Sequence, residues 1–355
     1  MRVAMQWSCL AWVLAVAGPG LCRGDELPKP TGEAIVAPDA KLEHLWTRSL
    51  PIKGGLSEGP TVARDGSIYF SDIPMGPDAG KIMRFDPKTK SVSVFAEDSR
   101  KSNGLKLDPN GYLVACEGAD DGGRGIGRWN LATRQHTIVV DRYQGKRFNA
   151  PNDLCVDSKG RIYFSDPKYV GKEPRELDVR AVYRVDIDGT VIEATRNVEK
   201  PNGLVLSPDE KTLFVADNNN NADDVTSGEK SKPGAMKIYS FALDEKGLPK
   251  GERKTIYDFG TEPGCDGMCV DAAGNVYLTS RSPKRPGVLV VDPTGKEVAF
   301  IPTGHSQPLD AAEPKGLPSN VTFGIGDDLN LLYITVDKSL YRVRLKAKGF
   351  HHVAR

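Results

Sequence analysis

Glu58, Asn103, Asn152, Asn202, Asp266 and Asn320 each stand just ahead of a short apolar run, and each carries side-chain oxygen as a carboxylate or a carboxamide. Brought to one point, Glu58, Asn202 and Asp266 offer oxygen ligands only, with no His or Cys among them, which suits a hard divalent cation such as Ca2+ or Mg2+. Two carboxylates neutralise such an ion, an amide oxygen adds a ligand without charge, and water or substrate completes the shell. A cation held there polarises a carbonyl and stabilises an oxyanion. Asp266 beside it is placed to take a proton from attacking water and return it to a leaving alkoxide. Without a metal, two carboxylates at one point repel and one is driven to keep its proton, which is the acid/base alternative.

Residues so far apart in sequence meet only if the fold repeats. Residues 147–166, RFNAPNDLCVDSKGRIYFSD, read as a hairpin: a short strand LCV, a polar turn with Gly160, and a second strand rich in aromatic and β-branched residues. The phrase recurs as EGPTVARDGSIYFSD from Glu58, NGLKLDPNGYLVACEG from Asn103, NGLVLSPDEKTLFVADN from Asn202, DGMCVDAAGNVYLTS from Asp266 and, degraded, NVTFGIGDDLNLLYITV from Asn320. Third strands follow from Lys81, Gly125, Ala181, Met236, Gly287 and Ser339, and most copies run on into a fourth. A spacing of roughly 45 to 65 residues fits propeller blades better than helical repeats. The pattern predicts an all-β, six-bladed β-propeller with four-stranded antiparallel blades around a central channel. The innermost strand of each blade lines that channel, so the six oxygen-bearing residues are expected at its mouth.

The 355-residue chain is long enough for one large all-β domain, and its net charge of +1 gives no electrostatic case for nucleic acid or a charged membrane surface. Residues 1–24 have the pattern of a secretory signal peptide: Arg2, an apolar run from about Cys9 to Ala17 too short to span a bilayer, then small and helix-breaking residues. Export of the mature chain is expected. Residues 25–45 form a leader, 46–347 the propeller and 348–355 a tail, and a strand within 44–50 is expected to complete the last blade. Cys116 and Cys155 fall in strand-like runs as small hydrophobes, no particular disulfide is expected, and no Cys/His spacing suggests zinc. The polar insertions at 166–181 and 217–236 are expected to cover the channel mouth, and His305, a lone His in the loop after blade five, is read as incidental ahead of a base or substrate donor. A serine hydrolase is not expected.

The segments GGLSEGP with Glu58, GKRFNAPNDL with Asn152, KPNGL with Asn202, CDGMCVD with Asp266, and RIYFSDPKY resemble the gluconolactonase / senescence-marker-protein (regucalcin) / luciferin-regenerating-enzyme family. The resemblance runs over nearly the whole mature chain. It implies a six-bladed propeller with one divalent metal in the channel, Ca2+ ahead of Mg2+, Mn2+ or Zn2+, that opens sugar lactones or related esters. It further implies Glu58, Asn202 and Asp266 as metal ligands, with Asp266 also the general acid/base, and Asn152, Asn103 and Arg147 as contacts to substrate. The expected partner is a small-molecule lactone, with no nucleic acid and no membrane after signal cleavage. Two other readings stay open: a non-enzymatic propeller that binds a ligand or protein on its top face, and a metal-dependent aryl-ester or organophosphate hydrolase.

Overall fold

The computed structural model describes residues 26–48, 55–74, 78–227, 232–311 and 315–353; the signal-peptide segment lies outside them. Six four-stranded antiparallel sheets follow one another as blades. Blade one holds β2 (Leu56–Val62), β3 (Ile68–Ile73), β4 (Lys81–Asp86) and β5 (Ser91–Ala96). Blade two holds β6 (Ser102–Leu107), β7 (Leu113–Glu117), β8 (Gly125–Trp129) and β9 (His136–Val140). A small hairpin, β10 (Arg142–Tyr143) with β11 (Lys146–Arg147), leads into blade three: β12 (Leu154–Val156), β13 (Ile162–Asp166), β14 (Ala181–Val185) and β15 (Val191–Thr195). Blade four holds β16 (Pro201–Leu206), β17 (Thr212–Asn218), β18 (Met236–Ala242) and β19 (Lys254–Asp258). Blade five holds β20 (Cys265–Val270), β21 (Val276–Ser280), β22 (Gly287–Val291) and β23 (Glu297–Pro302).

The sixth blade closes the ring. Its inner strands β24 (Pro318–Phe323), β25 (Leu331–Val336) and β26 (Ser339–Arg344) take their fourth member from the other end of the chain, β1 (Glu43–Thr47), which pairs antiparallel with β26. This is the strand expected within 44–50, and it covers an edge that would otherwise stay unpaired.

Packing follows the same plan. The buried side chains fall into six clusters, each between neighbouring blades. Phe164 and Tyr183 of blade three sit with Val114, Cys116 and Ile126 of blade two, and Phe70 and Phe85 of blade one sit with Tyr333 and Leu340 of blade six. Strand alternation sends one face of each blade to the preceding blade and the other to the next, so neither face is left in water. The leader docks Ile35 and Val36 into the cluster between blades five and six. Cys116, Cys155, Cys265 and Cys269 are free thiols, and the first three are buried.

The turn between the first two strands is built by one device in blades two, three and five. Asp108, Asp157 and Asp271 each accept the backbone N–H groups two and four residues on, and a glycine with positive φ completes the turn, as Gly160 does at φ 84. These turns lie at one end of the channel. The tail covers that end: the Phe350 amide bonds the Val270 carbonyl at 3.2 Å, His351 bonds the Gly324 carbonyl at 3.0 Å, and Val353 packs against blades one to three. The inner strands begin at the opposite end, where the oxygen-bearing residues and the polar insertions gather.

Candidate active site

Inner strands carry an irregular register where the axial side chain leaves the sheet. The shift falls between Glu58 and Thr61, Ser102 and Leu105, Pro201 and Leu204, Cys265 and Met268, and Pro318 and Asn320. Such bulges re-aim a side chain and are common beside functional sites. In four blades a glycine follows the axial residue. A Cβ on Gly104 would lie 2.4 Å from Asp153 Oδ1, and one on Gly267 would lie 2.0 Å from the Asn320 carboxamide carbon. These glycines let the axial residue of the next blade lean in, which is how six side chains fit one ring.

Blade three fills its place differently from the sequence expectation. The Asp153, Asp266 and Asn320 amides each bond a hydroxyl of the neighbouring strand, at Ser165, Thr279 and Thr335. That common register makes Asp153 the axial residue, one position after Asn152. The Asn152 backbone is spent on the sheet and on the Gly104 amide, and the residue is 9% exposed. The sequence leaves the choice between Asn152 and Asp153 open to a one-residue slip, because both carry side-chain oxygen ahead of the same run.

The ring is buried and acidic. Asn320 Nδ2 lies 3.2 Å from Glu58 Oε2 and 3.2 Å from Asp153 Oδ2, joining blades one, three and six. Glu58 is 2% exposed; burial first, then the Asp266 and Asp153 charges, push its carboxyl well above the usual range. Burial likewise pushes Asp153 to about 6, against the Lys106 charge and its hydrogen bonds from the Leu154 amide and Asn320. Asp266 is also raised by burial, opposed by Arg281, whose Nη1 stands 3.4 Å from Asp266 Oδ2, and by the Asn202 side chain. Glu58 thus lies within reach of the Asp266 charge, and Asp266 within reach of the Asn202 side chain.

Two orphaned atoms complete the geometry. Asn202 Oδ1 and Asn103 Oδ1 are buried without a hydrogen-bond partner. A buried amide oxygen left bare costs about 1–3 kcal/mol unless something meets it. Repelling carboxylates with bare amide oxygens beside them form a donor set that fits a hard divalent cation. Among the described residues no three His, Cys, Asp or Glu side chains gather into a metal site by themselves, so the set is a mixed one that relies on carboxamides.

Arg147 stands apart. Its guanidinium bonds the Gly123 carbonyl and lies 3.6 Å from Asp141, and its amide bonds Glu176 at 2.9 Å. The structure gives it no contact with an axial carboxylate. Residues 55–59, GLSEG, match the spacing of a serine-hydrolase elbow, but they enter an inner strand rather than a strand-to-helix turn, and Ser57 is fully buried. The blade-three insertion bridges its neighbours' loops. Glu173 accepts the Asp120 and Asp121 amides of blade two at 3.0 Å each, while Arg175 and Arg180 grip Asp223 of the blade-four insertion at 2.9 and 2.6 Å.

Comparison with known proteins locates this architecture. The SMP-30/Gluconolactonase/LRE-like region matches residues 56–338. The chain is 32% identical over 313 residues to a gluconolactonase of Zymomonas mobilis, covering 82% of this chain and 79% of that one. It is 28% identical to the pentonolactonase XacC of Haloferax volcanii, covering 81% and 84%. Among solved structures, the gluconolactonase XC5397 of Xanthomonas campestris superposes with a TM-score of 0.71 at 28% identity over 90% of this chain and 95% of that one. A calcium-binding regucalcin of Agrobacterium tumefaciens shares the fold with a TM-score of 0.63 at 19% identity, over 87% and 97%.

Proposed function

The chain belongs to the SMP-30/gluconolactonase/LRE-like family and is a lactone hydrolase of that family, and from this premise we propose that it opens an aldonolactone ring with the help of one divalent cation, Ca2+ first. The reading is supported by the buried Glu58 and Asp266 carboxylates, whose charges repel, and by the buried Asn202 oxygen left without a hydrogen-bond partner. Those three residues are the proposed ligands. When bound, the cation supplies Lewis acidity to the lactone carbonyl and charge for the oxyanion.

The protein's own groups do the rest. Asp266 takes a proton from the attacking water and delivers it to the ring oxygen as the ester bond breaks. Its burial raises its proton affinity, which suits a group that must take up a proton, and the Arg281 charge opposes that shift. Asn320 donates to the Glu58 carboxylate and is itself anchored on Asp153. Asn103 offers its bare oxygen to a sugar hydroxyl, and Asn152 offers its amide to another. The insertions that bridge blades two to four limit the water reaching the mouth. Hydroxyl-rich lactones suit such a polar ring better than aryl esters or organophosphates, which need an apolar wall.

The test is hydrolysis of gluconolactone, a pentonolactone, an aryl ester and a phosphotriester by the purified protein and by Asp266→Asn, with and without chelation. The proposal expects sugar lactones to lead, Asp266→Asn to lose at least about 10²-fold in kcat, and chelation to abolish turnover. Preference for the aryl ester or phosphotriester overturns the substrate class, and turnover unaffected by chelation overturns the cation.

A further inference from the structure

The cations around the ring are for the most part spent inside the protein. The fully buried Lys200 bonds Asn220 Oδ1 at 2.5 Å and the Ala222 carbonyl, and its Nζ stands 3.9 Å from the Tyr169 ring centroid, a cation–π contact. Lys168 bonds the Gly171 carbonyl at 2.8 Å, and Arg124 bonds the Phe148 carbonyl at 2.9 Å. Arg175 and Arg180 share the Asp223 carboxylate. Arg281 is held differently.

Arg281 directly follows β21, whose last residue, Ser280, pairs with Cys265 at the start of β20, so its guanidinium stands beside Asp266. Nη1 makes both of its contacts, to Asp266 Oδ2 at 3.4 Å and to the Pro318 carbonyl at 3.4 Å. Both are long, since a close Arg–carboxylate pair settles at about 2.7–2.9 Å. Nε and Nη2 have no partner among the described residues, and the side chain is 28% exposed. Those two donors form the edge with which a guanidinium grips a carboxylate through two parallel bonds. Arg184 uses that edge on Asp186 at 2.7 and 2.9 Å, and Arg196 uses it on Glu193. In Arg281 the edge is open, next to the residue that moves the protons of the proposed reaction.

Ring opening makes a carboxylate where none existed. Water adds to the lactone carbonyl and gives one proton to Asp266. The ring C–O bond breaks, and Asp266 passes that proton to the ring oxygen. The acid so formed loses its remaining proton to solvent, and its charge is shared by the former carbonyl oxygen and the oxygen that came from water. A group that exchanges a proton with Asp266 lies within about 2.6–3.2 Å of it. The acyl group next to that proton is then within reach of a guanidinium whose Nη1 is 3.4 Å from the same carboxylate. We propose that the open Nε/Nη2 edge of Arg281 receives the carboxylate as it forms, so that Arg281 favours the charged product, and the transition state leading to it, over the neutral lactone. This inference rests on the lactone reading above.

The experiment is hydrolysis of gluconolactone with gluconate added as inhibitor, by the wild type, Arg281→Lys and Arg281→Gln, with melting temperatures alongside. Lys keeps a positive charge beside Asp266 and loses the two-donor edge. Gluconate is expected to inhibit the wild type competitively, with its inhibition constant raised about tenfold in Arg281→Lys and about 30-fold or more in Arg281→Gln. KM for the neutral lactone should move less than about threefold while kcat falls about tenfold, the mark of an interaction made only as charge develops. An inhibition constant unchanged in Arg281→Lys overturns the proposal. So does KM rising in step with it, or a loss of kcat with gluconate inhibition intact, which is what a residue acting only through Asp266 would give. If Arg281→Gln melts well below the wild type, Arg281→Lys decides alone. Failure of gluconate to inhibit a wild type that opens gluconolactone overturns this inference and spares the lactone reading. A wild type that opens no sugar lactone overturns both.

Discussion

Glu58→Gln should make the ion-free protein more stable while destroying its site. Glu58 Oε2 and Asp153 Oδ2 both lie 3.2 Å from the same Asn320 nitrogen, so they are at most ~6.4 Å apart. Two full charges at that separation repel by about 2.6 kcal/mol at an effective dielectric of about 20. Gln keeps an oxygen for the Gly59 and Asn320 donors and removes the charge. The sign with pH follows from the raised carboxyl. The folded state holds a proton that the unfolded chain has lost, so the wild type is penalised increasingly as pH rises above the unfolded value of 4.5. Near pH 4.5 the variant gains almost nothing, and at pH 8 it gains up to about 2–3 kcal/mol, or about 5 °C in melting temperature. Thermal melts by circular dichroism in chelator at both pH values measure this. Added Ca2+ should then reverse the order, because a ligand stabilises the state that binds it and only the wild type retains the site. A variant that melts at or below the wild type at pH 8 without ion refutes the electrostatic account of the ring.

Gly267→Ala places a methyl 2.0 Å from the Asn320 carboxamide carbon and should destabilise the protein by about 1–3 kcal/mol while lowering kcat more than a distant change of equal stability cost, as paired melts and rate assays report. His351 is pushed down to about 4, by burial first and then by Lys106, with the Gly324 and Phe323 backbone opposing. It is held neutral in the fold, so stability present above about pH 6.5 drains as pH falls towards 4, by at most about 3 kcal/mol. In urea melts between pH 4 and 7, His351→Phe should show a shallower loss of stability on acidification than the wild type.

Much of this site was legible in the sequence because a propeller repeats its grammar. The six phrases fixed the blade count, and the pairing of a strand near residue 46 with the last blade followed from the need to cover two edges. Glu58, Asn202 and Asp266 stand out in the sequence because each sits at the same place in its repeat, just ahead of the inner-strand run. Asp153 is harder to read: two oxygen-bearing residues, Asn152 and Asp153, precede the run LCV, and only the shared hydroxyl contacts of Ser165, Thr279 and Thr335 show which of them is axial. Its nearest sequence signal is the parallel between Asp153-Leu154 and Asn320-Val321, an axial residue leading straight into an apolar strand. Tyr169 and Lys200 stand at the end of RIYFSDPKY and the start of KPNGL, but nothing in either segment says that the two meet. They sit in or beside insertions with no periodicity, and their meeting is a product of three-dimensional packing. Arg281 follows a strand with no motif around it and declares itself only through its distance to Asp266.

The most direct measurement is a crystal of the protein soaked in Ca2+ and examined by anomalous diffraction. A single strong peak on the channel axis, about 2.3–2.6 Å from oxygens of Glu58, Asn202 and Asp266, is the predicted result. A fully occupied crystal with no peak there, or with its ion bound elsewhere while lactone hydrolysis persists, contradicts the account.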